Sequence, residues 1–279
     1  MIHDTLWLDA SDRSRLFVNQ WLPAAPLKAV ILLAHGMAEH SGRYARLADT
    51  FCDKGYGVYA PDLRGHGKSN GARGHFPSLD VVMQDIHQFI QFVSQRHPNL
   101  PQFLYGHSLG GLLSLTYVVQ NKAELKGVIV TGAALRSALQ EQKVKIAMAN
   151  ILGTLMPTLT IPSGLDTATI SRDKAVVDKY VNDLLVHDKT SLGLGKSALT
   201  AIDICFANAR EFPQPLLIMH GQADKLTYPS GSEDFARVAS EKNKDVTLKL
   251  WDNLYHEIHN EPEQAEVFKV MVEWLDKHL

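Results

Sequence analysis

Three side chains of this 279-residue chain have types and positions suited to acyl transfer: Ser108, Asp224 and His256. A serine hydroxyl becomes a useful nucleophile only when a histidine removes its proton. The histidine in turn needs a carboxylate to fix its tautomer and steady the imidazolium. Ser108 is the centre of Gly106-His107-Ser108-Leu109-Gly110, a G-x-S-x-G between the apolar run 101–105 and a helical-looking stretch that starts at Gly111. Strand, sharp turn and helix in that order put the serine at the apex of a strained turn. The residues flanking it at a distance of two must then be small enough for strand and helix to approach. Gly106, Gly110 and Gly111 fill those places.

Position selects the partners. There are thirteen histidines, and only His256 and His259 fall between the last strand-like run, 246–251, and the closing amphipathic helix expected from Glu261. His256 is the nearer to the strand end. His35 and His107, beside the turns of the site, are expected to have local hydrogen-bonding roles, and most of the others to be surface or loop residues. Asp224 competes with Asp203, Glu233, Asp234 and Asp252 for the acid. Asp203 is expected on a helix of an insertion, Glu233 and Asp234 on the helix after Asp224, and Asp252 after the strand that delivers the histidine. Asp224 remains. The tetrahedral intermediate also needs two donors, which backbone N–H groups supply whatever the side chain. Leu109, next to the nucleophile, and Met37, in the loop after His35, are the expected donors.

The elements that must position these groups are legible as alternating strands and helices. Runs 5–9 and 15–22 form an edge hairpin, and Lys28 to Ala34 is a continuous apolar strand buried on both faces. Further strands are expected at 57–60, 101–105, 127–131, 215–220 and 246–251, with helices near 41–53, 79–97, 111–117 and 231–240. This alternation implies right-handed crossovers and a mostly parallel sheet, with function at the C-terminal strand ends. From about 134 to 207 the rhythm breaks into a helical or irregular insertion, leaving a core of about 1–133 and 208–279. Within it Val144, Ala147, Met148, Ile151, Leu152 and Leu155 follow helical spacing, with Ile146 and Met156 on another side. A helix packed on the core and one facing lipid or a pocket both fit that pattern.

Composition excludes several classes. A formal net charge of −2 and a pI near 6.7 give no basic field for nucleic acid. Residues 146–165 form an uncharged window long enough to span a bilayer, but Asn150, Gly153, Pro157 and Pro162 interrupt it, so a cap over a pocket is expected instead. The N-terminal residues carry no secretory pattern, and Cys52 and Cys205 are expected as free thiols in a reducing, cytoplasmic setting. Gly67-Lys68-Ser69 imitates the end of a phosphate-binding loop, yet Asp62 stands where the first glycine is required. His256-Glu257-Ile258-His259 approaches a zinc motif with the second histidine one residue early and no convincing third ligand. No metal or cofactor is expected.

The chain resembles the monoacylglycerol lipase and lysophospholipase group of the α/β-hydrolase superfamily. The likeness lies in His35-Gly36-Met37-Ala38-Glu39-His40-Ser41-Gly42-Arg43-Tyr44, in 62–69, in the serine pentapeptide, in 221–226 and in Tyr255-His256-Glu257-Ile258-His259. It implies an α/β-hydrolase fold with a helical cap and hydrolysis of a monoacylglycerol to fatty acid and glycerol, with Ser108, Asp224 and His256 as triad and Met37 and Leu109 as oxyanion donors. It also implies a polar cluster of Glu39, Arg43 and His259 near the glycerol end of the pocket, with Tyr180 close by. The alternative for Glu39 and Arg43 is a plain i,i+4 helix pair. Leu109 stands where the family often has methionine and Met37 where a smaller residue is common, which alters pocket shape rather than mechanism. Lysophospholipid or general carboxylic-ester hydrolysis, and a catalytically silent binding scaffold, are the alternatives. A lipid ester is the expected partner, with peripheral contact to lipid aggregates through the cap. Oligomeric state is left open.

Overall fold

The computed structural model describes residues 1–121, 124–137 and 151–279. Among them an eight-stranded sheet runs in the order β1-β2-β4-β3-β5-β6-β9-β10. The hairpin β1 (Ile2–Asp9) and β2 (Arg15–Leu22) lies at one edge and is antiparallel, as is the pairing of β2 with β4 (Tyr56–Pro61). All other neighbours are parallel: β3 (Ala29–Ala34), β5 (Gln102–His107), β6 (Gly127–Thr131), β9 (Leu216–Gly221) and β10 (Val246–Trp251).

The central strands are apolar on both faces because helices cover both. In β3, Val30 and Leu32 enter a cluster with α2 (Leu79–Arg96) and α3 (Leu109–Gln120), while Ala29, Ile31 and Leu33 enter another with α1 (Ala45–Asp53) and α7 (Gln264–Lys277). The chain reverses direction across the sheet at β3. It passes to β4 on one side and returns to β5 on the other, which makes the crevice between the C-terminal ends of β3 and β5 the topological switch point. Ala34 pairs with Gly106 there, so 35–37 and 107–109 leave the sheet side by side.

Between β6 and β9 the chain leaves the sheet. It forms a helical stretch at 151–155, strand β7 (Thr160–Pro162), α4 (Lys174–Val181), strand β8 (Lys189–Ser191) and α5 (Leu192–Asn208). The antiparallel β7–β8 ribbon corrects the expectation that this stretch is only helical or irregular. Three-residue strands with an exposed β7 and a terminal proline carry no alternation for a sequence pattern to detect. Val144, Ala147, Met148 and Ile146 lie outside the described residues. Helix α5 lies along α3, where Thr116 Oγ1 is 3.2 Å from Cys205 Sγ. Helix α6 (Pro229–Ala239) follows β9.

The closing helix starts at Gln264, three residues after the expected Glu261. Glu261 is fully buried and accepts from the N–H of Tyr255 (2.9 Å), the N–H of Arg172 (3.1 Å) and Arg172 Nε (2.8 Å), bonds that hold it in the loop. Cys52 and Cys205 are both free and buried.

Candidate active site

Ser108 joins β5 to α3 with φ 53° and ψ −117°, a conformation costly for a residue with a Cβ. The turn persists because its surroundings over-determine it. The Ser108 N–H donates to Thr131 O at 2.9 Å, and its own carbonyl accepts from the N–H groups of Leu112 and Ala134 at 3.0 Å each. A Cβ on Gly110 would lie 2.2 Å from Ala34 O, and one on Gly106 would lie 2.5 Å from Gly110 O. Both contacts are with backbone, so neither glycine has a substitute.

Asp224 sits in the loop after β9 with every oxygen engaged. Its Oδ1 accepts the backbone N–H groups of Leu226 (2.8 Å) and Thr227 (3.0 Å). Its Oδ2 lies 2.7 Å from His256 Nδ1 and 3.0 Å from His220 Nε2, and accepts from Thr227 Oγ1 at 2.9 Å. Burial works upward on this carboxyl, but the charge of His256 and the hydrogen bond of His220 outweigh it and hold the pKa well below the usual carboxylate range. For His256 burial works downward and is outweighed by the charge and hydrogen bond of Asp224, with Glu257 and Glu39 adding to it, so its pKa is raised above 6.5. Gly132, at φ +52°, passes beneath the ring, where a Cβ would stand 3.2 Å from Nδ1.

Ser108, Leu109, Met37 and His256 line one cavity of about 410 Å³, together with Glu39, Glu257 and Tyr180. Leu165, Ile170, Leu194, Ala198, Leu199 and Ile202 supply much of its apolar wall. Met37 lies in the loop after β3, and Leu109 is the first residue of α3, whose opening N–H groups have no acceptor within the helix. Asp203 is on α5, Glu233 and Asp234 are on α6, and none of these nor Asp252 lines the cavity.

The polar cluster differs from a helix pair. Glu39 precedes the 3₁₀ turn Ser41–Tyr44 that holds Arg43, and both are nearly buried. Arg43 Nη1 donates to Glu39 Oε2 (2.5 Å) and Glu257 Oε1 (2.7 Å), and Nη2 donates to Glu257 Oε2 (2.7 Å). Its guanidinium also lies 4.6 Å from the ring centroid of Tyr180. Burial pushes the Glu257 carboxyl up, but Arg43 outweighs it and holds the pKa down at about 2. Arg43 and His259 do not line the cavity; they stand behind its polar wall. His259 stacks on Tyr44 at 5.0 Å and meets His107 edge-on at 4.7 Å, and burial lowers its pKa to about 4.

Sequence reasoning missed His220, Thr227 and Glu257 as members of this network. His220 precedes Asp224 by four residues at the end of β9, and that spacing was the available signal. Of the remaining histidines, His40 and His66 lie in loops as expected but are buried there, and His220 is buried at the end of β9. His35 does have the expected local role, its Nε2 accepting the Leu63 N–H at 2.8 Å while Nδ1 donates to Gly36 O at 2.7 Å. Asp62, the residue that breaks the phosphate-loop pattern, accepts from the N–H (2.8 Å) and hydroxyl (2.5 Å) of Ser41 and from the Lys68 N–H (2.7 Å). It thereby ties the loop after β4 to the loop after β3.

A mostly parallel sheet with a strained serine at the switch point, and an acid and a histidine on later strand ends, defines an α/β-hydrolase. The chain belongs to the Hydrolase_4 family, serine aminopeptidase S33, whose model matches residues 25–263. It is 36% identical over 267 residues to a monoacylglycerol lipase of Mycolicibacterium smegmatis, covering 95% of this chain and 94% of that one. A crystal structure of a Paleococcus ferrophilus monoacylglycerol lipase superposes with a TM-score of 0.86 at 34% identity, covering 95% and 99% of the two chains. An uncharacterized abhydrolase domain-containing protein of Dictyostelium discoideum is 42% identical over 271 residues, or 96% of this chain, which spans only 28% of that protein's length.

Proposed function

We propose that the protein is a serine esterase that cleaves monoacylglycerols to fatty acid and glycerol, with Ser108 as nucleophile, His256 as general base and Asp224 as its orienting acid. In the acylation step Ser108 Oγ attacks the ester carbonyl carbon while its proton passes to His256 Nε2. Asp224, ionised and hydrogen-bonded to Nδ1, keeps the lone pair on Nε2 and stabilises the imidazolium. The oxyanion takes hydrogen bonds from the N–H groups of Met37 and Leu109, each worth ~3 kcal/mol in the transition state. His256 then returns the proton to the departing glycerol oxygen, and water repeats the sequence to release the acid. The family membership and the named lipase relatives support this reading.

The observation that carries the substrate class is the lining of the cavity. Apolar side chains, suited to a single acyl chain, share the lining with the polar Glu39, Glu257 and Tyr180. Among the described lining residues Lys225 is the only Lys or Arg, so two carboxylates face whatever head group enters. A neutral glycerol can donate a hydroxyl to Glu257, whereas a phosphodiester meets repulsion from both. Assay of a long-chain monoacylglycerol against its matched lysophosphatidylcholine should therefore give the higher kcat/KM for the former. A preference for the lysophospholipid would reverse the assignment.

We further infer that residues of about 134–207 act as a cap on a core of 1–133 and 208–279, and that the cap meets lipid aggregates peripherally. Ile151, Leu155, Met156, Leu159 and Ile161 are exposed apolar side chains on it. No helix among the described residues is long and apolar enough to cross a membrane. The two free, buried thiols support a reducing, cytoplasmic setting.

A further inference from the structure

Glu39 lines the cavity, which would make it a natural ligand for a substrate hydroxyl, but its Oε1 already has protein donors. That oxygen accepts the backbone N–H of Gly36 at 2.6 Å and the hydroxyl of Tyr44 at 2.7 Å, while Oε2 takes Arg43 Nη1 at 2.5 Å. Glu39 is 2% exposed. The bond to Gly36 closes a tight loop over Gly36, Met37 and Ala38, the stretch that presents the Met37 N–H. Ala38 sits at φ 68°, a left-handed conformation that a residue with a Cβ holds only when its neighbours enforce it. The far side of the loop is also tied, because Ala38 O accepts the N–H of His187 at 3.1 Å. Gly36 packs directly on the nucleophile: a Cβ there would lie 2.8 Å from Glu39 Oε1 and 3.2 Å from Ser108 Cβ.

We propose that Glu39 is the positioning residue of the oxyanion loop, its carboxylate anchoring the Gly36 N–H so that the Met37 N–H is aimed at the developing oxyanion beside Ser108. This rests on the serine-esterase reading and deepens it. Arg43 and Tyr44 hold the carboxylate from behind, which explains why a buried ion pair stands next to the cavity. Glu39 acts through a backbone donor that every ester substrate uses, so its effect does not depend on the alcohol.

The test compares wild type with Glu39→Gln and Glu39→Ala on two substrates, a monoacylglycerol and a p-nitrophenyl ester that lacks glycerol. The amide oxygen of Glu39→Gln can still accept from Gly36 and Tyr44, but its NH₂ then faces Arg43, donor against donor. The expected result is a fall in kcat by the same factor on both substrates, about a hundredfold for alanine and less for glutamine, with KM nearly unchanged. Affinity for an alkylboronic acid, which places a negative oxygen in the oxyanion site, should fall in step with kcat. A merely structural role would leave boronate affinity out of step with kcat. If p-nitrophenyl ester turnover stays within twofold of wild type while KM for the monoacylglycerol rises, Glu39 is an alcohol ligand and the proposal is overturned. Glutamine, nearly isosteric, decides the matter if the alanine variant does not fold. Full turnover by Ser108→Ala would instead sink the esterase reading itself, whereas an inactive Ser108→Ala beside an unaffected Glu39→Gln sinks only the positioning role.

Discussion

The loops at the C-terminal sheet edge and the 151–165 stretch opposite them differ in how far their conformation is determined. Around Asp224 two carboxylate oxygens receive two backbone N–H groups, a hydroxyl and two imidazoles, all but the Leu226 donor buried. In 151–165 most side chains are exposed or half-buried, and Leu155 reaches 72% exposure. Chemistry demands sub-ångström placement, so its residues are fixed from several elements at once. Selection of a greasy substrate demands apolar area and room to admit it, and that is what the second region offers.

The sharpest way to break this contrast is to disturb the over-determined side. In Asp224→Asn the two backbone donors will hold the amide oxygen at the Oδ1 position, which turns the NH₂ toward His256 Nδ1. Donor then faces donor unless the imidazole adopts the tautomer that cannot accept the serine proton. The analogous change in a serine protease costs ~10⁴ in kcat, and a loss of that order is expected here. Asp252→Asn, outside the network, should keep activity near wild type. The reverse ranking, in folded variants, would move the acid to the loop after β10.

A smaller effect follows from pH. As the proposed base His256 must be neutral, and Asp224 raises its pKa above 6.5. The acid limb of kcat/KM should therefore lie above pH 6.5, with activity falling about tenfold per unit below it. From composition and spacing the sign of this shift was open, because burial and the carboxylate oppose each other. The geometry resolves it in favour of the carboxylate. A limb well below 6.5 would mean that burial dominates.

The smallest catalytic effect belongs to the proposed cap. Ile151 and Leu155 share one helical face and are both exposed, while Leu152 is half-buried. Ile151→Glu with Leu155→Glu should reduce sedimentation with liposomes several-fold yet change short-chain ester turnover by less than about twofold, as surface substitutions rarely disturb a core. Undiminished liposome binding would place the docking surface elsewhere.

The same contrast governs what could be read from the chain. The turn around Ser108 is local: its glycines, strand and helix fall within residues 102–120, so a linear pattern carries them. The alternation of buried strands and amphipathic helices is likewise local, and the sheet follows from it. Arg43 meets Glu257 across 214 positions of sequence, and no spacing rule connects them. His220 was hidden because a histidine ending a buried strand looks like any other polar strand terminus. The β7–β8 ribbon was hidden because three-residue strands lack a period.

The central claim is that Ser108, activated through His256 and Asp224, becomes acylated. The direct measurement is peptide mass spectrometry after exposure to a fluorophosphonate probe. The account predicts a single adduct on the peptide containing Ser108, no adduct in Ser108→Ala, and slowed labelling in Asp224→Asn. Equal labelling of wild type and Ser108→Ala, or an adduct on another serine that tracks ester turnover, would contradict it.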